Sequence, residues 1–252
     1  MGVIQTVVKA EKRAPISGMK IYIGHDSKQQ DATKVCEYSL HKHAKYNIDI
    51  DILRMDKLVK DGVYWRTEGK ASTEFTYSRF LIPHLEKFEG WAMFVDSDFV
   101  FLKDITPVVE DIIQRPGSER YSCFVVRHAE YTPKNEFKFY GEQQEAVPKK
   151  NWSSLILFNC SHPDVQKLST IAVNNMSPQY LHRFQWTDDI RIGSLDVRWN
   201  WLVGEYDINP EPYALHFTNG GPFNQVWGQD NEDIWLQYFQ ELTGLDYKKL
   251  QS

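Results

Sequence analysis

Cysteine is scarce in this chain. Its three residues, Cys36, Cys123 and Cys160, stand far apart and are odd in number. That excludes a disulfide framework and a thiolate metal site, and it sets a reducing, cytoplasmic compartment as the expectation. A basic excess is also lacking: Lys and Arg total 29 against 34 Asp and Glu, a net charge of −5. Bulk electrostatic binding of nucleic acid is therefore excluded as a function class, because nothing neutralises the phosphates. No apolar run approaches the length of a membrane span, which leaves only peripheral contact at the inner face of a membrane. The opening "MGVIQTVVKAEKRAPISG" lacks the basic start and long apolar centre of a signal peptide. Residues 1–18 read as a leader, and residues 19–252 as one domain with no repeat, low-complexity tract or linker.

What the chain has is apolar and aromatic substance. Hydrophobic residues make up 42% of its 252 positions, enough for one large α/β domain. Six of the eight tryptophans, Trp152, Trp186, Trp199, Trp201, Trp227 and Trp235, fall in the second half. Most belong to the core by their apolar area; the sharper alternative is a platform for a sugar face.

The hydrophobic pattern gives an element order. "MKIYIG" predicts a buried strand from Met19, "QDATKVCEYSLHKHA" an amphipathic helix, and "NIDIDILRM" a second strand. Strand, helix, strand at this spacing is a βαβ unit, so the expected fold class is α/β with a mixed, mainly parallel sheet. "STEFTYSRFLIPHLEKF" predicts a helix capped by Ser72 or Thr73, with Pro83 ending or kinking its first segment. "WAMFVD" and "NWSSLILFNC" predict strands, and "HPDVQKLSTIAVNN" a helix. The stretch Arg183 to Trp227 reads as irregular. "EDIWLQYFQELTG" then predicts a helix closed by Gly244.

The most informative stretch is "WAMFVDSDFVFLKDI", in which two aspartates interrupt two apolar runs. On extended chain, residues i and i+2 face the same side, so Asp96 and Asp98 aim their carboxylates together. Two like charges this close repel, and a divalent cation removes the penalty. The pair follows a buried strand, where open α/β sheets bind ligands. The plain alternative is a solvated pair ending a strand.

Other residues carry a chemical and a plain reading side by side. His216, in "LHFTNGGPF", is a third ligand suited to Mn²⁺ or Mg²⁺, or a packed histidine. Gly220 and Gly221 let backbone approach a phosphate. Asp188 and Asp189 follow Trp186 and Thr187; they form a helix start, or carboxylates facing a sugar's anomeric carbon. Arg79, within an aromatic and apolar segment, offers a guanidinium fork for phosphate; Lys70 is a surface charge or a second cation. Gly24, His25 and Asp26 end the first strand, where a ribose would lie, or form an ordinary turn. Asn151, Trp152 and Ser153 line a sugar or acceptor side, or enter a strand.

"FVDSDFVFLKDI" resembles the Asp-x-Asp motif of GT-A-fold glycosyltransferases, and the chain is most similar to the family 8-like, glycogenin and galactosyltransferase-type, enzymes. "ASTEFTYSRFLIPHL" resembles that group's helix before the metal strand, "NWSSLILFNC" its Asn-rich strand, and "LHFTNGGPF" its late His-Phe-x-Gly segment. Two departures stand out: the lysine soon after the late histidine is missing, and Asp188 stands where the group keeps Gln. The resemblance implies Mn²⁺ or Mg²⁺ held by Asp96, Asp98 and His216. It implies a nucleotide-sugar donor, UDP-linked, touching Gly24, His25, Asp26, Arg79, Asp96, Ser97, Asn151, Gly220 and Gly221. It implies Asp188, then Asp189, as catalytic carboxylates, a glycan or glycolipid acceptor, retention, and a place in surface-glycan or polysaccharide assembly. Two rivals are a haloacid dehalogenase-type phosphatase, whose Asp-x-Asp-x-Val signature "DSDFV" also fits, and a domain that binds nucleotide sugars or glycans without turnover.

Overall fold

The structure is a computed structural model describing residues 19–69, 71–129, 133–134, 147–206 and 211–251. The leader and Lys70 lie outside the described residues. In chain order the elements are β1 (Met19–Gly24), α1 (Gln30–His43), β2 (Asp49–Leu53), α2 (Met55–Lys60), α3 (Ile82–Leu85), β3 (Trp91–Val95), β4 (Phe99–Phe101), α4 (Thr106–Gln114) and β5 (Cys123–Val126). They continue with β6 (Leu155–Asn159), α5 (Thr170–Asn175), α6 (Pro178–His182), β7 (Ile192–Leu195), β8 (Trp201–Leu202), β9 (Ala214–His216), α7 (Glu232–Thr243) and α8 (Tyr247–Leu250).

Six strands form the central sheet in the order β2-β1-β3-β6-β5-β7. The β1–β2, β1–β3 and β5–β7 pairs are parallel, whereas β6 runs against β3 and β5. The expected mixed, mainly parallel sheet is what forms. Strand β3 is apolar throughout because both of its faces are covered. Ala92 and Phe94 pack with Phe80, Phe158 and Trp186 on one side; Met93 and Val95 pack with Phe99, Leu157 and Val109 of α4 on the other. Each such large side chain contributes roughly 1.5–3 kcal/mol when fully buried. A third cluster seats α7, through Trp235, Tyr238 and Phe239, against Ala32 and Val35 of α1.

The second apolar run after the aspartates has its own purpose. It is β4, which joins a small sheet of order β4-β9-β8, with Phe99 directly opposite His216. β9 and β8 come from the stretch that reads as irregular in sequence.

Two expected helices break up. Between Ser72 and Phe88 the chain makes turns, a 3-10 segment at Ser78–Leu81 and the short α3. Pro83 sits in the first turn of α3, where a missing N–H costs nothing, so it opens a helix rather than ending one. The helix expected over "HPDVQKLSTIAVNN" splits into a 3-10 turn at Val165–Lys167 and α5, which Ser169 caps by accepting the Ala172 N–H at 3.2 Å. Gly244 closes α7 in the left-handed conformation, φ 74°, as the sequence predicts. Trp186, Trp199, Trp201 and Trp235 are buried; Trp152 is half-buried and Trp227 exposed.

Candidate active site

The carboxyl ends of β1, β3, β5 and β7 share one edge of the sheet. β6 runs the other way, so the residues entering it, Asn151 to Ser154, meet that edge too. The Asp96 N–H donates to the Ser154 carbonyl at 2.9 Å, and the Phe217 N–H donates to the Asp98 carbonyl at 3.0 Å. The backbone of the Asp-Ser-Asp motif is thus tied to β6 on one side and to the end of β9 on the other. A cleft of about 360 Å³ opens there, with Arg79, Asp96, Asp98, Asn151 and His216 in its walls.

One ligand atom from each of Asp96, Asp98 and His216 lies within 4.8 Å of the others. His216 is 2% exposed and stacks on Phe99, ring centroids 4.4 Å apart. Its Nδ1 faces Asn200 Oδ1 at 2.7 Å. The Asn200 amide is oriented by its other bonds: Nδ2 donates to the Asn151 carbonyl at 3.2 Å and to Ser154 Oγ at 2.8 Å. A carbonyl only accepts, so Asn200 Oδ1 must face the histidine, and Nδ1 must carry a hydrogen. In the neutral ring the lone pair then sits on Nε2, which points at Asp98 Oδ1, 3.4 Å away. A nitrogen lone pair aimed between two carboxylates is a donor set for a hard to borderline divalent cation, and the second-nitrogen hydrogen bond is what metal-binding histidines have. The residues present fit Mn²⁺ or Mg²⁺.

Arg79 is 5% exposed, and its guanidinium is held through Nη1 and Nε. Nη1 meets Asp96 Oδ1 at 2.7 Å and the Ser153 carbonyl at 2.7 Å, Nε donates to the Thr76 carbonyl at 3.0 Å, and the group lies 4.8 Å from the Phe94 ring centroid. Burial pulls its pKa down, and the Asp96 and Asp98 charges oppose that. Arginine keeps its proton regardless, so the guanidinium is a fixed positive charge beside Asp96 and Asp98. The expected helix over 72–88 fails here because the turns, not a helix, swing Arg79 inward.

Sequence reasoning missed the wall formed by Lys149, Lys150 and α6, which brings Gln179, His182 and Arg183 to the cleft. His182 Nδ1 lies 2.9 Å from Ser153 Oγ. Burial, then the positive Arg79 and Arg66, push its pKa down to about 3, so it is neutral. The one local signal was the Ser177-Pro178 start: Ser177 accepts the Tyr180 N–H at 3.1 Å, a helix cap legible without any motif. Asn200 carried no signal.

Several expected residues lie elsewhere. Asp188 and Asp189 precede β7, which runs parallel to β5. Asp188 is 76% exposed beside Arg191, and Asp189, 70% exposed, holds Lys149 Nζ at 2.5 Å. Neither lines the cleft, which corrects the expectation of catalytic carboxylates there. Asp188 precedes a 3-10 turn at Asp189–Arg191 without a side-chain capping hydrogen bond, and Thr187 Oγ1 lies 2.9 Å from both Ser122 Oγ and Asp164 Oδ2. Gly220 and Gly221 sit in a tight, aromatic-packed turn after β9. Gly220 turns at φ 98° and donates its N–H to the Phe217 carbonyl; a Cβ on Gly221 would stand 2.8 Å from the Phe223 ring. Likewise a Cβ on Gly24 would stand 2.5 Å from the Phe75 ring. His25 is buried with Nδ1 3.1 Å from Thr33 Oγ1, and burial lowers its pKa. Ser97 is 1% exposed and does not reach the cleft. Asp26 lines a second cleft of about 290 Å³ with Tyr64, Arg66 and Tyr77, which shares Ser72 and Thr73 with the first. Its carboxylate accepts the Lys28 and Glu74 N–H groups at 2.9 and 3.4 Å.

The position of the aspartate pair also weighs against the dehalogenase-type reading. That signature opens a domain on its first strand, whereas here a βαβ unit precedes it and β3 is interior to the sheet.

No family model matches the chain. Protein CDI of Arabidopsis thaliana is 41% identical to it over 230 residues, covering 88% of this chain and 86% of that protein. Among solved structures, the WbbM bifunctional glycosyltransferase superposes with a TM-score of 0.63 at 16% identity, covering 93% of this chain and 52% of that one. The glycosyltransferase GlyE of Streptococcus pneumoniae TIGR4 gives 0.56 at 14% identity, with 95% and 62% covered. The galactosyltransferase LgtC, solved with donor and acceptor sugar analogs, gives 0.54 at 11% identity, with 92% and 99% covered. This chain thus spans less than two thirds of WbbM and GlyE but nearly the whole of LgtC. At such identities the likeness is one of fold, and the fold is GT-A. The chain belongs to the family of Protein CDI of Arabidopsis thaliana, a family that this architecture places on the GT-A fold.

Proposed function

We propose that this protein is a metal-dependent glycosyltransferase that moves a sugar from a nucleotide diphosphate donor, UDP-linked, to a hydroxyl of a glycan or glycolipid acceptor. The observation that carries the reading is the cluster of Asp96, Asp98 and His216, within 4.8 Å, on the wall of a cleft at the carboxyl edge of a GT-A sheet. A divalent cation bound there would offset the negative charge on the donor's diphosphate and on the leaving nucleotide. Asp96 and Asp98 would hold the cation together with His216, Asn200 fixes the His216 tautomer, and Arg79 holds Asp96 in place. Asp26, which lines the adjoining cleft, would meet ribose hydroxyls, and Asn151 and Ser153 the sugar.

Retention at the anomeric carbon is part of the proposal. Among the described residues, Asp96 and Asp98 are the carboxylates lining the cleft, and both belong to the cation site. That favours front-face transfer without a protein nucleophile. The carbon–oxygen bond to the diphosphate breaks, the acceptor oxygen bonds to the same face, and its proton passes to the departing phosphate oxygen. Gln179, on α6 at the cleft, replaces Asp188 as our candidate for the polar side chain beside the anomeric carbon.

The test is release of UDP from a panel of UDP-sugars, with Mn²⁺ and with chelator, and with simple sugar acceptors. Turnover that needs metal supports the reading. Donor bound with metal but never consumed, under every acceptor tried, would convert it to a binding domain.

A further inference from the structure

The cleft is lined by four cations, Arg79, Lys149, Lys150 and Arg183, against the two carboxylates Asp96 and Asp98. Two of these cations already have carboxylate partners. Arg79 is paired with Asp96, and Lys149 with Asp189. Arg183 differs: its guanidinium has no ion pair or hydrogen bond among the described residues, yet it lines the cleft.

Its place is fixed by its backbone, not by its charge. The Arg183 N–H donates to the Gln179 carbonyl at 3.0 Å, ending α6. The Arg183 carbonyl accepts from Lys149 Nζ at 2.9 Å, and the same ammonium is held by Asp189. Phe184 follows in a left-handed conformation, φ 54°, with its ring fully buried 5.5 Å from that of Trp186 and 6.4 Å from that of Trp152. A bulky residue at positive φ is strained and persists only where packing imposes it. Lys149 and Asn151, facing α6 from the loop before β6, are also left-handed, at φ 58° and 61°. Packing of Phe184 and the Lys149 contacts thus fix the backbone of Arg183 at a position that lines the cleft.

A leaving diphosphate gains negative charge as its bond to the sugar breaks. Arg79 answers that gain weakly, because Asp96 offsets it at 2.7 Å. We propose that Arg183 binds the donor's diphosphate directly, as a metal-independent half of the clamp, and that the Asp189–Lys149 pair is its positioning device. This rests on the glycosyltransferase reading for its substrate, but not for its test. A planar fork with its donors open is matched to phosphate oxygens.

The experiment is calorimetric binding of inorganic pyrophosphate to the full chain in chelator, for wild type, Arg183→Gln, Arg183→Lys, Asp189→Asn and the surface control Arg115→Gln. Loss of a charged hydrogen bond predicts that Arg183→Gln weakens binding by about tenfold or more. Arg183→Lys should recover part of the affinity, Asp189→Asn should fall between, and Arg115→Gln should match wild type, all with unchanged melting temperature. No pyrophosphate binding by wild type, equal affinity in Arg183→Gln, or an equal loss in Arg115→Gln would overturn the proposal. If Arg183→Gln instead raises only the KM for an acceptor, the residue serves the acceptor and the proposal also fails. Pyrophosphate binding that depends on Arg183 in a protein that turns over no nucleotide sugar would uphold this proposal and sink the enzymatic reading alone.

Discussion

Asn200 Oδ1 lies 2.7 Å from His216 Nδ1, and that one contact decides which nitrogen of the histidine is left to face Asp98. The donor set at the cleft is thus built by a residue that never touches it. Asn200→Ala should lower Mn²⁺ affinity by roughly 10–100-fold, the usual effect of losing such an outer partner. Metal titration of the purified variant, read by calorimetry beside a melting curve, separates this from unfolding. Unchanged affinity would mean the tautomer is set by something else.

Asp98→Ala should abolish metal-dependent UDP binding, and Asp96→Ala should weaken it. Asp96 has a second effect, because it leaves the buried Arg79 charge with only carbonyl partners. Breaking a buried pair costs about 3–5 kcal/mol, so Asp96→Ala should also melt earlier, while Asp98→Ala should not. Equal melting of the two variants would remove Arg79–Asp96 from the stability argument.

Asp188→Asn is expected to change little. The side chain is exposed, with Arg191 at 3.9 Å, and surface substitutions of this kind stay within about 0.5 kcal/mol. Donor turnover within twofold or so of wild type is the matching kinetic outcome, about 0.4 kcal/mol at most. A fall of orders of magnitude would restore this aspartate to the mechanism.

Gly24→Ala should destabilise the fold without a specific effect on nucleotide. The new Cβ meets the Phe75 ring at 2.5 Å, and overpacking of this kind costs about 1–3 kcal/mol. Denaturant unfolding gives the cost, and UDP affinity measured well below the midpoint should match wild type.

His182 and His128 are both neutral in the folded protein, each with a pKa pushed down to about 3 by burial. The unfolded chain takes up these protons below the ordinary histidine value near 6.5. Their contribution to stability is therefore complete above that pH and is lost as pH falls toward about 3. Melting temperature should drop on acidification from neutral, and His182→Asn, which keeps a polar group near Ser153, should flatten that slope. An unchanged slope would show that His182 is protonated in the folded state.

The elements that the sequence foretold are those whose cause is local. β1, α1, β2, β3 and α7 follow from periodicity, and the end of α7 from a glycine that alone tolerates φ 74°. That Asp96 and Asp98 come together was legible because two acids one residue apart after a buried strand face the same side, and His216, which joins them, came from the resemblance of its segment. The failures are non-local. The stretch 72–88 has helical periodicity, but the burial of Arg79 against Asp96 and the Ser153 carbonyl overrides it. Asp188 and Asp189 carry a local helix-start signal, and only their place in the fold, beside Arg191 and Lys149, shows that neither lines the cleft. Nothing near Asn200 or Arg183 in the sequence announces contacts made across the fold.

The pairing of Phe99 with His216 has a consequence for how the molecule is assembled. Two of the three candidate ligands sit just before β4, and the third arrives on β9, more than a hundred residues later in the chain. No segment of this polypeptide short of that closure owns the complete donor set, so an ion that needs all three recognises finished molecules and ignores partly folded ones. By mass action such an ion would drain the unfolded population: at 100 times its dissociation constant it would add about 2.7 kcal/mol to stability. An ion held there would join the turn before β4 to the late strand β9, and chelation would remove that added stability.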